Sequence, residues 1–160
     1  MDIKYLTLLN NNPSIQEIKG GFVKTLQPIT ITEINNLEQT YNGRNPFPVA
    51  LRELLFLAGK YCYVLDFGLF ESQAAMQEKS RSWLKQSKHD IDRPFFVIDV
   101  YNASEQFLFV YLDEDLNDPV VYEAFLPVKN GVDFIESLNQ SLSEYISAGL
   151  KKILNGENPF

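Results

Sequence analysis

Three runs of aromatic and β-branched residues constrain this chain more than any other feature: residues 95–101 (FFVIDVY), 106–112 (QFLFVYL) and 120–125 (VVYEAF). Such side chains fit a pleated, half-buried surface, and the runs read as β-strands. Residues 102–105 make a hairpin-length connection, and residues 113–119 a longer, acidic, turn-rich one. The runs are therefore expected to form consecutive antiparallel strands. Strict alternation puts Phe96, Ile98 and Val100 on one face and Phe95, Val97, Asp99 and Tyr101 on the other. An ionised carboxylate is costly to bury unpaired, so Asp99 and Glu123 mark the face nearer solvent, which also carries Tyr101, Val121 and Phe125. The middle run is apolar on both sides. A sheet this apolar is either covered on both faces or offers one face to a partner, and double cover is expected because burial is the commoner reason for a stripe of aromatics.

Helical signals flank these runs. Thr30-Ile31-Thr32-Glu33 fits a capping box, with Ile34, Leu37, Glu38 and Tyr41 at helical spacing behind it and Asn42-Gly43 as its stop. Pro48 suits the first turn of a second helix, whose apolar face is Leu51, Leu54, Leu55 and Ala58 and whose end is Gly59. Residues 61–65 read as a strand and residues 66–72 as a loop. Residues 73–88 read as an amphipathic helix with Ala75, Met76, Trp83 and Leu84 as its apolar members. Phe134, Ile135, Leu138, Leu142, Tyr145 and Ile146 predict a helix over residues 132–150, capped by Asn130 with Asp133 in its first turn. Residues 1–29 show only breaks, at Asn10 to Pro13 and at Gly20-Gly21, with Ile15 and Ile18 in a short helix between them. The expectation is a single domain over residues 1–160 of the α+β class, with a central, mainly antiparallel sheet flanked by helices. The length of 160 residues closes one core, and hydrophobic and charged fractions of 45% and 22% exclude wholesale disorder.

The formal net charge is −7. A nucleic acid is repelled on average by such a surface, and a basic protein is drawn to it. Cys62 is the only cysteine and His89 the only histidine. That leaves no intrachain disulfide and nearly excludes a zinc site. Residues 113–118 (DEDLND) begin like a calcium loop, but Asp118 stands where glycine is required and Ala124 where a bidentate glutamate is required, so no metal is expected. No Gly-x-Ser-x-Gly elbow or P-loop occurs. Cys62 lies in an apolar stretch that predicts an inert thiol. Asp99 and Glu123 could sit on neighbouring strands and are the pair of carboxylates that a hydrolase of this sequence would use; the general expectation is no catalytic residue and no cofactor. The apolar runs at 54–58 and 107–112 are too short to span a bilayer. The N-terminus lacks the pattern of a secretory signal, so a cytoplasmic protein is expected.

Residues 30–61 resemble the opening signature of the SUKH superfamily, which includes fungal cell-wall-synthesis regulators and many bacterial immunity proteins. The matching residues are Ile31-Thr32-Glu33-Ile34, Leu37-Glu38, Pro48 and Leu54 to Gly59. Tyr111-Leu112-Asp113, then Asp118-Pro119-Val120-Val121-Tyr122, is similar to that family's strand, acidic loop and return strand, and the closing amphipathic helix follows in order. The chain departs from the pattern between its middle strands, where Asn102-Ala103-Ser104-Glu105 replaces an Asp-Gly type of turn. The resemblance covers about residues 30–150. It implies a SUKH-like fold without catalytic residues, and binding of a toxin domain.

Charge and resemblance converge on one expectation. Toxins that attack nucleic acids carry basic surfaces, so an inhibitor that occludes one is expected to be acidic. The expected contact surface is Asp113, Glu114, Asp115 and Asp118 of the loop with Asp99, Tyr101 and Glu123 of the sheet, beside Phe125. The alternative from the same fold is a regulatory or scaffold adaptor with an endogenous protein partner.

Overall fold

A computed structural model describes residues 1–16, 21–101, 105–126 and 133–159 of the chain, with the side chain of Leu69 left out. The order of elements is α1 (Thr7–Asn10), β1 (Ser14–Gln16), β2 (Val23–Thr25), α2 (Ile31–Tyr41), α3 (Val49–Ala58), a 3-10 turn (Phe67–Leu69), α4 (Gln73–Gln86), β3 (Phe95–Tyr101), β4 (Gln106–Tyr111), β5 (Val120–Phe125), β6 (Ile135–Ser141) and α5 (Leu142–Leu154). The fold is α+β in one compact unit. Strands β3-β4-β5-β6 form an antiparallel sheet in sequence order, and β1 and β2 form a separate antiparallel pair.

The α2–α3 corner follows its sequence signals. The Thr30 hydroxyl accepts from Glu33 N, and the Glu33 carboxylate accepts from Thr30 N at 2.7 Å, completing the capping box. Gly43 takes a positive φ of 58° beyond the helix end. Buried Glu38 then braces the corner, accepting from Phe47 N at 2.7 Å and from Arg52 Nη1 at 2.9 Å. Leu37, Leu51, Leu54 and Leu55 are buried in one core with Ile98 and Val110, and Phe134 packs against it, half-buried.

Both faces of the sheet are covered, the expected one of the two arrangements open to the apolar middle run. Directly opposed residues share a face. Val97, Phe109 and Tyr122 lie on one side; Phe96, Val110 and Val121 on the other. All but half-buried Tyr122 are buried. The second face meets Tyr41 and Phe47, whose rings pack on Phe96 at 6.0 and 4.8 Å, and Tyr145 of α5, whose hydroxyl lies 3.3 Å from that of Tyr101. The free edge of β3 is also covered. The buried Gln77 side chain donates to Val97 O at 2.7 Å and accepts from Val97 N at 2.9 Å, while Arg81 donates to Phe95 O at 2.8 Å. Helix α4 thus closes a row of backbone groups that would otherwise recruit another strand.

Four expectations are corrected. Residues 61–65 are not a strand: only Tyr61 bridges, to Gln27, and the chain then turns. Residues 132–150 are not one helix. Strand β6 precedes α5, Asp133 precedes the strand rather than sitting in a helical first turn, and Asn130 lies outside the described residues. The true helix start is a second capping box, Ser141 with Glu144, and Asn139 at φ 52° twists the chain just before it. Ile15 sits in β1 paired with Lys24, not in a helix, and Ile18 lies outside the described residues. Finally, a bulge between Val97 and Asp99 resets alternation in β3, so Asp99 pairs with Leu108 and shares the face of Phe96, not of Val97. That face is packed, and Asp99 is fully buried rather than near solvent.

Candidate interaction surface

The acidic loop, residues 113–118, is built into the fold through its backbone. Helix α3 begins after Pro48, which offers no side-chain cap. Its first amides, Val49 N and Ala50 N, instead donate to Leu116 O at 3.0 Å and Asn117 O at 2.8 Å. The other end of the loop meets the start of α5. Leu142 N donates to Pro119 O at 2.8 Å, and the half-buried Asp118 carboxylate accepts from Ser143 N at 2.9 Å and from the Ser141 and Ser143 hydroxyls at 2.7 and 2.6 Å. Two helix N-termini therefore meet one acidic segment, an arrangement that helix dipoles favour.

The remaining carboxylates of the loop are held individually. Asp113 receives Arg93 through Nη2 at 2.7 Å and Nε at 3.2 Å, while that guanidinium lies 3.9 Å from the centre of the Tyr111 ring. The hydrogen bond holds the Asp113 carboxyl below, and the Arg93 guanidinium above, their ordinary values. Glu114 accepts from the Tyr122 hydroxyl at 2.8 Å; burial first, and this carboxylate second, push the Tyr122 phenol up to about 12. Asp115 accepts from Asn117 N at 2.7 Å in a turn of its own. Asp113, Glu114, Asp115 and Asn117 are exposed, and Leu116 stands 68% exposed among them.

Asp99, Tyr101 and Glu123 form a different group. They lie on the α5-covered face, running toward the end of β4 and β5 away from the loop. Asp99 Oδ1 accepts from Asp66 N and Val100 N, both at 2.9 Å, and Oδ2 has no partner. Burial pushes its carboxyl up to about 8 against the pull of those amides. Burial, then Asp99 and Tyr145, raise the Tyr101 phenol, and burial, then Glu136, raise the half-buried Glu123. The expected seven-residue surface is thus not one patch. Asp113, Glu114 and Asp115 stand together; Asp118 is spent on α5; Asp99 is interior.

Sequence reasoning missed Arg93 and Leu116 as parts of this surface, and buried Tyr111 as the ring beneath Arg93. Leu116, an apolar residue inside a run of acids, was the available signal. The ordinary seats of chemistry look different. Cys62 is buried, and burial pushes its thiol up to about 12. His89 stacks on Phe134 with ring centres 4.3 Å apart. Among the described residues no group of three or more His, Cys, Asp or Glu is placed to hold a metal, and no helix is long and apolar enough to cross a membrane. Comparisons with protein-family models, with curated proteins and with solved structures found no match to this chain.

Proposed function

We propose that this chain is a non-catalytic binding protein, a cytosolic immunity protein of the SUKH kind that neutralises a basic toxin domain by occluding it. The observation that carries the reading is the braced acidic loop. Its backbone is tied to the first turn of α3 and, through Asp118, to that of α5, and it holds Glu114, Asp115 and Leu116 out to solvent. A loop fixed before contact loses little conformational freedom on binding. Exposed carboxylates around an apolar residue suit a steering rim about a packed point, and an acidic surface of net −7 speeds encounter with a basic partner.

The test begins with the gene neighbourhood, where a secreted protein with a variable C-terminal domain is expected, and proceeds to co-expression of that domain with the chain. Host survival with the chain, death without it, and a stable purified complex are expected. A domain that kills equally in the presence of the folded chain, with no complex formed, overturns the reading.

A further inference from the structure

A well-formed concavity lies away from the acidic loop. It is a groove of about 470 Å³ between α2 and the segment that leads into α4, within the size range of ligand pockets. Tyr41, Phe67 and Phe70 supply aromatic surface, and Ile29, Leu37 and Ala74 aliphatic surface. Its charged lining is Glu33, Glu71 and Glu78 against a single ammonium, Lys60. Glu33 spends one oxygen on Thr30, whereas Glu71 and Glu78 are exposed and make no hydrogen bond or ion pair among the described residues.

One lining residue lacks something that a ligand can supply. Gln73, only 6% exposed, donates through Nε2 to Gly59 O at 2.8 Å, and its Oε1 has no donor. Gln73 also borders a small interior void of about 10 Å³. The other walls of that void are apolar side chains and Gly59, whose carbonyl is already an acceptor, so it offers no donor from that side. A buried amide oxygen without a hydrogen bond is unfavourable; Oε1 is itself closed to solvent, so a donor in the groove that Gln73 lines meets it only when the side chain turns outward.

We infer that the groove receives an arginine side chain presented by a protein partner, with its guanidinium paired to Glu71 or Glu78, its N–H meeting Gln73 Oε1 once that side chain turns toward the groove, and its stem on the half-buried Phe70 ring. The inference rests on the reading of the chain as a protein-binding module and adds a second site to it. Arginine fits better than lysine because a planar, weakly hydrated guanidinium both stacks on aromatic rings and forks onto a carboxylate. The chain uses the same chemistry internally: Arg93 lies over Tyr111 while bonded to Asp113, and Arg81 lies 4.7 Å from the Tyr41 ring centre and 4.2 Å from that of Phe95. Because Arg81 already occupies Tyr41 and Phe67 is only 5% exposed, the half-buried Phe70 ring is the open platform.

The experiment is an NMR titration of the full chain with N-acetyl-arginine methylamide, alongside its uncharged citrulline counterpart. Saturable shifts are expected at the Gln73 side-chain amide and at Gly59, absent with citrulline, and weakened about two- to fivefold by E71Q combined with E78Q, the scale of losing an exposed ion pair. Both glutamates are exposed, so the double variant is expected to fold. Shifts that never saturate, that citrulline reproduces, that survive the double variant unchanged, or that centre on residues 113–118 instead overturn the inference. No toxin enters this titration, so its failure leaves the immunity reading standing, and failure of the survival assay leaves the groove result standing.

Discussion

Asp99 offers a sharp test of the packing, because the bulge in β3 forces a carboxyl into the interior. Its pKa moves from the ordinary 3.8 to about 8, with burial as the leading cause. The sign follows from proton counting. Between these values the folded chain keeps a proton that the unfolded chain releases. Stability contributed by this group is therefore full below pH ~4, falls as pH rises, and levels off above about 8. One proton of difference gives a slope of about −1.4 kcal/mol per pH unit, and four such units amount to on the order of 5 kcal/mol. Asp99→Asn keeps an oxygen to accept from Asp66 N and Val100 N but cannot titrate.

The assay is urea unfolding at pH 5, 6, 7 and 8, followed by Trp83 fluorescence and circular dichroism. The stability of Asp99→Asn relative to the wild type should climb by about 1 kcal/mol or more for each unit from pH 5 to 7. Glu123, also raised, and Asp113 and Glu33, both lowered, contribute slopes of their own, but these are common to both proteins and cancel in the difference. Parallel stability curves for the two proteins would falsify the claim that Asp99 is held protonated.

Glu53, fully buried, accepts from the amides of Lys4, Tyr5 and Leu6 at 2.7 to 2.9 Å, so Glu53→Ala should cost ~3 kcal/mol and release the N-terminal segment, read as lost hydrogen-exchange protection at Leu6. Leu54→Ala, at a site 3% exposed, should cost ~2–5 kcal/mol in chemical unfolding; a loss under ~0.5 would place that face outside the core. Asp118→Ala should lower stability by ~1–2 kcal/mol through the cap it gives α5, whereas Asp115→Asn should change it by less than ~0.5, a contrast that thermal melts of the two variants check. Neutralising Asp113, Glu114 and Asp115 together should slow association with a basic partner roughly tenfold at low salt and flatten the salt dependence; equal on-rates in stopped flow would leave the loop a solubility feature.

The elements that sequence resolved are those whose signals are local. Thr30 and Glu33 cap a helix through contacts three residues apart, and the aromatic runs at β3, β4 and β5 carry their own pattern. What it misread depends on distant residues. Over residues 134–146, apolar positions in β6 happen to continue the spacing of those in α5, and a seven-residue strand is too short for periodicity to expose the join. The Ser141–Glu144 box marks the true start, a local signal that lies inside the longer apparent stripe and went unread. The bulge at Ile98 carries no residue signature at all. It inverts the side on which Asp99 lies, and with it the inference that a carboxylate in a strand must face water.

The acidic loop shows why composition alone misassigns roles. Asp113, Glu114, Asp115 and Asp118 are equivalent in a sequence that reads DEDLND. Their functions separate only when α3, α5, Arg93 and Tyr122 arrive from elsewhere in the chain. Asp118 becomes a helix cap because Ser141 and Ser143 begin α5 beside it. Asp113 becomes half of an ion pair because Arg93 stacks on Tyr111. Glu114 and Asp115 hold only one phenol and one short turn, and so keep the most freedom to meet a partner. If the loop does steer association, these two should account for most of the salt dependence, and Asp118 for almost none of it. Single substitutions at Asp115 and Asp118 then move kinetics and stability in opposite proportion. An on-rate that responds equally to both would mean that net charge, rather than the placement of the loop, governs encounter.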